Sequence, residues 1–307
     1  MNDAQRHPLS PTRSRPRAGW LWLAALALGT TACASQRGPE AVRYLEAGSG
    51  RELSFDEVVD RLVDADMVAL GELHDSGAGH GAQLALTRAL VERRGGGTVA
   101  LEQFERDVQD VVDAYVDGRI ERDGLDAARP WKNHDEHYHA VLELARELDL
   151  RVVAANAPRE LASRVGREGK SELERSYFAP RHVELDEPEY RARFEEAMGG
   201  GGGHGGHGSG GRLAPAALER FFAAQVVRDE SMAEAISDEV ARRGEGAKPV
   251  LLWCGRFHSD YGLGTVSRVA SRRPDWRIEV VSMERRGAAA ELARAEAPPG
   301  SIVIEVP

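Results

Sequence analysis

Short apolar runs alternate with longer amphipathic stretches along most of the chain. Runs such as MVAL, TVAL, RVVAA and PVLLWC are almost continuously apolar and then end in polar residues. The segments between them carry apolar residues at the three- and four-residue spacing of a helix. Strands that are apolar on both faces, with helices between them, are typical of a parallel sheet covered on both sides. We therefore expect an α/β fold, with a mostly parallel sheet flanked by helices.

Local signals set the limits of this domain. Ser54 and Glu57 fit a capping box at the start of a helix over 54–66, and Gly95 is placed to end the next helix. The domain is predicted to cover 51–307. A largely helical segment over about 160–235 is expected as an insertion or subdomain, and residues 34–50 as a tether.

The N-terminal residues 1–33 have the features of an export signal. Four arginines precede an apolar run of about ten residues, which is too short to span a bilayer as a helix. The sequence TTAC then places Cys33 where a bacterial lipoprotein signal has its lipidated cysteine, although Thr30 stands in place of the usual leucine. An ordinary cleaved signal is the alternative. With a lipid on Cys33 and Ala34 behind it, we expect an exported protein anchored to the outer membrane, facing the periplasm or the cell surface.

The net charge of the chain indicates which partners it can bind. The chain has 40 basic and 50 acidic residues, of which residues 1–32 hold four and one, so the remainder carries a net charge of −13. So acidic a chain is unfavourable for nucleic-acid binding. The second cysteine, Cys254, lies in an apolar run and is expected to be an inert buried thiol.

Each predicted strand ends in polar residues. Because parallel strands deliver their carboxyl ends to one edge of a sheet, the residues that follow them should line one crevice. Glycines let the backbone turn away close to a ligand. The crevice is predicted to contain Glu72, His74, Glu102 and His258, joined by Gly71, His80, Asn156, Arg159 and Gly255.

Two histidines and two carboxylates suit two kinds of chemistry. His74, Glu102 and His258 would be the ligands of a divalent metal, or Glu72, His74, Glu102 and His258 would perform acid–base catalysis. The alternative is a set of satisfied polar groups at the sheet edge.

Other histidines and tyrosines are candidates for a second kind of ligand site. The segment 199–211 is almost entirely glycine, with His204 and His207 three residues apart, and is either a flexible linker or a loop that contacts a metal or haem. His134 and Tyr138 share a face of a predicted helix over 134–150. On an apolar helix face, a tyrosine is more often part of the core.

These features together resemble the ChaN-like haem-binding lipoproteins, which are related to the Tiki and TraB proteins and the erythromycin esterases. The resemblance covers about 60–290. It rests on the Trp131-to-Tyr138 spacing and on ALGELHDSGAGH, VALEQFERDVQDVVDAYVDG, VVAANAPRELASRV, AQVVRDESMAEAI and GRFHSDYGLG.

The resemblance implies a lipid-anchored haem-binding protein of iron or haem uptake, with haem bound by tyrosine or histidine. It also implies a homodimer with two stacked haems and an outer-membrane haem receptor as partner. The candidate ligands are Tyr138, His134, His204 and His207, and the resemblance leaves open whether Tyr115, Tyr138, Tyr177 or another tyrosine matches the family's tyrosine. The glycine–histidine loop replaces a His-Cys-Gly type stretch of many relatives.

The wider superfamily implies a competing function. Its protease-like and esterase-like members use a glutamate and histidines at such strand ends. Carried onto this chain, Glu72, His74, Glu102 and His258 would form the centre of a metal-dependent hydrolase, or Glu72 and His74 would activate water without a metal.

Overall fold

The computed structural model describes residues 42–199 and 214–307. Eight strands form one sheet: β1 (Arg43–Glu46), β2 (Glu52–Leu53), β3 (Met67–Glu72), β4 (Thr98–Glu105), β5 (Arg151–Asn156), β6 (Val250–Gly255), β7 (Ile278–Arg285) and β8 (Ile302–Val306). Their spatial order is β2-β1-β8-β7-β3-β6-β4-β5. The six strands from β8 to β5 are parallel, and β1 joins β2 and β8 antiparallel. The predicted α/β class is confirmed.

Ten α-helices accompany the sheet in the described ranges. They are α1 (Phe55–Leu62), α2 (Gly77–Arg94), α3 (Gln109–Val116), α4 (His134–His137), α5 (His139–Leu148), α6 (Arg159–Glu168), α7 (Pro188–Gly199), α8 (Pro215–Arg243), α9 (Thr265–Arg272) and α10 (Ala289–Ala293). None of these helices has the length and hydropathy needed to cross a membrane.

The position of β3 explains why its first four residues, MVAL, are all apolar. Val68 and Leu70 belong to the apolar core that contains α1, α2 and α5. Met67 and Ala69 point to the other face and belong to the core that contains α8 and α9. Because successive side chains of a strand alternate between faces, a sheet covered on both sides needs apolar residues at every position.

Local signals fix the ends of two helices as expected. The Ser54 side chain accepts a hydrogen bond from the Glu57 amide, and the Glu57 side chain accepts one from the Ser54 amide. Gly95 ends α2 in the left-handed region at φ 75°, where a side chain would be strained.

Two local expectations differ from the structure. Residues 43–46, within the segment expected to be a tether, form β1, because this stretch pairs with β8 and buries Tyr44 and Leu45. The helix expected over 134–150 is divided into α4 and α5, since Tyr138 has φ −119° and departs from helical geometry.

The helical segment between β5 and β6 has two packing environments. Val227 of α8 packs with Leu161 and Val165 of α6. Further along the same helix, Met232 and Ile236 lie in the core against the sheet. A single long helix therefore connects the helical subdomain to the sheet.

Candidate functional site

Three neighbouring strands deliver the candidate residues to one edge of the sheet. Strand β6 lies between β3 and β4, and Glu72 is in register with Gly255. Glu102 directly follows Leu101, the last residue of β4 that pairs with β6, and His258 follows β6. All three strands are parallel, so their carboxyl ends meet at the same edge.

Glu72 is the buried centre of the first half of the site. Its Oε1 lies 2.8 Å from Nδ1 of His74, and it accepts hydrogen bonds from the Tyr138 hydroxyl at 2.6 Å and from Gln103 at 3.2 Å. Its Oε2 accepts from Gln83 at 3.0 Å. Four donors for one carboxylate favour the ionised form.

Two histidines keep this buried carboxylate charged. Burial by itself would raise the pKa of Glu72, but the hydrogen bond from His74 and the proximity of His80, at 3.5 Å, lower this pKa below its usual range. At neutral pH, the negative charge of Glu72 therefore lies next to Nδ1 of the His74 imidazole.

His74 is the accessible group of the site. Its side chain is 41% exposed, whereas that of Glu72 is fully buried. Burial lowers the pKa of His74, but the bond to Glu72 and the charge of Glu102 outweigh it, and the net shift is upward. A β-carbon at Gly255 would lie 2.7 Å from His74 Nε2, so only glycine leaves room for this ring. With Nδ1 held by Glu72, Nε2 is the atom that can exchange a proton.

Glu102 and His258 form the second half of the site. Glu102 Oε2 accepts a 2.6 Å hydrogen bond from the Gly255 amide, and Oε1 lies 3.4 Å from His258 Nε2. His258 Nδ1 lies 2.7 Å from Asp229 Oδ1. The imidazole of His258 is thus placed between two buried carboxylates.

This arrangement favours the charged forms of His258 and Glu102. Burial would lower the pKa of His258, but the charges of Glu102 and Asp229 raise it to about 10. Burial would likewise raise the pKa of Glu102, but the charge of His258 helps to lower it to about 2. His258 is therefore a protonated, structurally paired imidazole at neutral pH, unlike the accessible His74.

Asp229 was not among the residues predicted for the site. It lies on α8, where Tyr190 donates to its Oδ2 at 2.7 Å and Thr265 to its Oδ1 at 2.9 Å. The sequence signal was an acidic residue within the motif AQVVRDESMAEAI, but Glu230 and Glu234 of the same motif are also buried on α8, so the motif alone did not single out Asp229. Through Asp229 and Tyr190, the helical subdomain is bonded to the strand-end site.

The remaining predicted crevice residues have different positions. His80 is buried and stacks on His137 with ring centroids 4.4 Å apart. Asn156 donates to the Glu102 carbonyl at 3.0 Å and holds the backbone of β4 in place. Arg159 is 72% exposed, and its nearest ionic partner is Glu105 at 3.8 Å.

Gly71 is a packing position. A β-carbon there would lie 2.5 Å from Ser259 Oγ and 3.0 Å from the Arg256 Cα. The absence of a side chain lets the segment after β6 cross closely over β3, which brings His258 towards Glu102.

The predicted haem ligands divide into two groups. His204 and His207 lie outside the described residues, as does Cys33, the predicted lipidation site. Tyr138 is buried with its hydroxyl bonded to Glu72, and His134 is 2% exposed. Neither side chain therefore offers an accessible ligand atom to the iron of a surface-bound haem.

The predicted metal ligands do not converge. In the described ranges, the one group of three or more histidine, cysteine or acidic residues with ligand atoms all within 4.8 Å of one another is His134, Asp135 and His139. His74 is paired with Glu72, whereas His258 lies between Glu102 and Asp229, so the three predicted ligands belong to two separate groups.

The accessible apolar surface lies elsewhere, in the helical subdomain. Within 42–199 and 214–307, the large hydrophobic side chains exposed to solvent are Tyr177, Phe178, Met198 and Phe221. Tyr177 is 94% exposed, and its ring lies edge-on to Phe178 at 5.3 Å.

Fold and site together define an α/β protein with a polar centre at the carboxyl ends of a parallel sheet and a helical subdomain beside it. The sequence profile described as "Haem-binding uptake, Tiki superfamily, ChaN" matches residues 58–269, more than half of the chain. The chain belongs to this family, which confirms the resemblance drawn from its motifs.

Two solved structures are similar to this chain, and the first of them supports the fold. ChaN of Campylobacter jejuni, solved with cofacial haem binding, is similar with a TM-score of 0.63 and 16% identity, over 88% of this chain and 98% of that chain. A mutant of the erythromycin esterase EreC in its open conformation has a TM-score of 0.46 and 15% identity, over 80% and 78% of the two chains. No curated protein sequence matches this chain.

Proposed function

We propose that this protein binds haem on the exposed surface of its helical subdomain, with Tyr177 as the axial ligand. The observation that carries the proposal is the 94% exposure of Tyr177 beside Phe178, in the region that holds all the exposed large hydrophobic side chains of the described residues. Family membership supports haem as the ligand. A tyrosine phenolate is an established ligand of haem iron.

The other tyrosines are less suitable. Tyr44, Tyr115, Tyr138 and Tyr190 are buried, and the hydroxyl of Tyr115 donates to Glu143 at 2.6 Å. Tyr261 is partly buried, with the Arg193 guanidinium 3.3 Å from its ring centroid. Of the six tyrosines in the chain, Tyr177 is the one that offers an open phenol.

An absorption titration of the purified full chain with haem tests this proposal. We expect a saturable Soret shift with a phenolate charge-transfer band in the native protein. Tyr177→Phe should lose that band and weaken binding, whereas the matched control Tyr261→Phe should bind as the native protein does. Unchanged haem spectra in Tyr177→Phe would contradict the assignment. A loss confined to a His204→Ser, His207→Ser variant would move the ligand to the glycine–histidine loop.

The setting of this activity is part of the same proposal. Lipidation at Cys33 would anchor the protein to the outer membrane, and haem would pass between it and an outer-membrane receptor during haem or iron uptake. The exposed rings of Tyr177 and Phe178 are suited to a homodimer in which two haems stack between the subunits. Mass spectrometry of the mature N-terminus and membrane fractionation of Cys33→Ser test the anchor, and light scattering with and without haem tests the dimer.

A second candidate function rests on the accessible His74. Its Nε2 is free to take a proton from water, while Glu72 orients Nδ1–H and stabilises the imidazolium that results. This arrangement supports ester or amide hydrolysis without a metal. Ester turnover that is lost in His74→Ala and retained in His182→Ala, an exposed histidine elsewhere, would establish it. Equal ester turnover in the two variants would contradict a hydrolase function of His74.

A metal-dependent form of this hydrolase is tested separately. Elemental analysis of the native protein and of a His74→Ala, His258→Ala double variant would compare bound transition metal. Unchanged metal content in the double variant would exclude these histidines as metal ligands.

A further inference from the structure

His134, Asp135 and His139 form a cluster that neither proposed activity uses. Their ligand atoms lie within 4.8 Å of one another, and the two imidazole rings are 5.5 Å apart. Residues five apart on a continuous helix point about 140° away from each other. The break at Tyr138 between α4 and α5 therefore brings the two histidines together.

Buried nitrogen atoms in this cluster lack partners. His134 is 2% exposed, and neither of its ring nitrogens has a hydrogen-bond partner among the described residues. Nδ1 of His139 is also buried without a partner there. Buried polar atoms are normally satisfied, and one left unpaired costs free energy. A cation between the two rings would pair with one nitrogen of each.

The second nitrogen of His139 already has suitable neighbours. Its Nε2 lies 3.5 Å from the Tyr115 hydroxyl and 3.9 Å from Glu143 Oε1. Tyr115 donates its own proton to Glu143, so its oxygen is free to accept one. Metal-bound histidines commonly donate their other N–H to such an oxygen, which fixes the tautomer and the ring orientation.

We propose that His134, Asp135 and His139 bind a divalent transition-metal ion of the Zn²⁺ or Co²⁺ class, with water completing its coordination. Two imidazole nitrogens and one carboxylate suit these ions, whereas Ca²⁺ and Mg²⁺ prefer oxygen ligands. Asp135 is 79% exposed and His139 is 26% exposed, so both can adjust their rotamers around an ion that the buried His134 holds from below.

The metal would stabilise the segment that covers Glu72. Asn133 donates to the His74 carbonyl at 3.2 Å, His137 stacks on His80, and Tyr138 donates to Glu72. These contacts come from residues directly beside the cluster. Fixing α4 against α5 therefore fixes the groups that surround the Glu72 carboxylate.

Arg122 provides a test in which a substitution should strengthen metal binding rather than weaken it. Its guanidinium is hydrogen-bonded to Asp135 and competes with a cation for the same carboxylate. Arg122→Gln should therefore strengthen metal binding, whereas a purely structural ion pair would give no such gain.

Titration of the full chain with CoCl₂, followed by visible absorption, measures binding directly. The background carries His204→Ser and His207→Ser, which removes the glycine–histidine loop as a competing ligand. We expect one equivalent of Co²⁺ to bind, with affinity reduced in His139→Ala and Asp135→Asn by at least about tenfold, since even loss of a group that supports a ligand has that effect. His182→Ala should bind as the background does.

His139 and Asp135 carry the test because both are accessible, so their replacement leaves the core in place even if His134→Ala fails to fold. Unchanged affinity in both variants would overturn the proposal, as would the absence of saturable Co²⁺ binding in the background protein. Neither result bears on haem binding at Tyr177, so the two proposals fail or succeed separately.

Discussion

The Tyr138 hydroxyl donates a 2.6 Å hydrogen bond to Oε1 of Glu72, and both side chains are shut off from solvent. Burial, together with the charge of Glu72, raises the pKa of Tyr138 far above its ordinary value, so the phenol keeps its proton. Tyr138 is thus a structural donor to the carboxylate that orients His74. Its position also explains why the more exposed Tyr177 is the better candidate for haem.

Tyr138→Phe should destabilise the protein by about 1.5–3 kcal/mol, because it removes a hydrogen bond to a charged, buried acceptor. Tyr44→Phe is the matched control, since the Tyr44 hydroxyl is buried without a partner among the described residues. Its removal should be neutral or stabilising. Denaturant unfolding of both variants measures the difference, and equal free energies of unfolding would contradict the role given to Tyr138.

Asp229→Asn should destabilise the protein by about 3–5 kcal/mol at neutral pH, because it leaves His258 with one fewer buried partner. Asp238→Asn makes the same change on the same helix, in a partly exposed ion pair with Arg181. Such a pair contributes at most about 1 kcal/mol. Comparable losses in the two variants would contradict the central position of Asp229.

The pair formed by His258 and Asp229 predicts a loss of stability at high pH. The pKa of His258 is about 10 in the folded protein, against about 6.5 in an unfolded chain. Its contribution is therefore complete below pH 6.5 and is lost as the pH rises towards 10. Chemical denaturation across this range should show a decline in the native protein, and the decline should be smaller in Asp229→Asn.

At acidic pH, Glu102 makes stability change with pH in the opposite direction. The pKa of Glu102 is lowered to about 2, so its contribution is complete above about pH 4.5 and is lost as the pH falls towards 2. Glu102→Gln should be less stable than the native protein at pH 7, and its stability should change less between pH 4.5 and 2. An identical acid profile for the two proteins would show that Glu102 does not carry this dependence.

Gly255→Ala should displace His74. The new β-carbon would lie 2.7 Å from Nε2 and 2.9 Å from Cε1 of that ring, so the imidazole must move from Glu72. The pKa of His74 should then fall back towards its ordinary value, as seen by NMR titration of its ring protons. Gly246→Ala adds a β-carbon with no atom within 4 Å and should leave the titration unchanged.

Much of the fold could be predicted from the sequence. Continuous apolar runs at β3, β4, β5 and β6 indicated buried parallel strands, because a sheet covered on both faces tolerates polar residues only at strand ends. The same rule placed Glu72, Glu102 and His258 at one edge. Family membership was also readable, since the motifs that define it are local stretches of sequence.

Other features depended on contacts that no local pattern contains. Asp229 meets His258 only because α8 crosses the sheet, and β6 separates β3 from β4 although it comes much later in the chain. Asn156 is the last residue of β5 and Arg159 begins the helix that follows, yet only the side chain of Arg159 turns to solvent. Tyr138 breaks the expected helix and turns its hydroxyl to Glu72.

The sequence by itself determined which segments are buried and which polar groups reach the strand ends, because apolar periodicity and strand direction are local properties. The tertiary structure alone decided the partner of each polar group, since hydrogen bonds between distant segments depend on strand order and helix packing. It thereby separated the accessible His74 from the paired His258, and the open Tyr177 from the enclosed Tyr138.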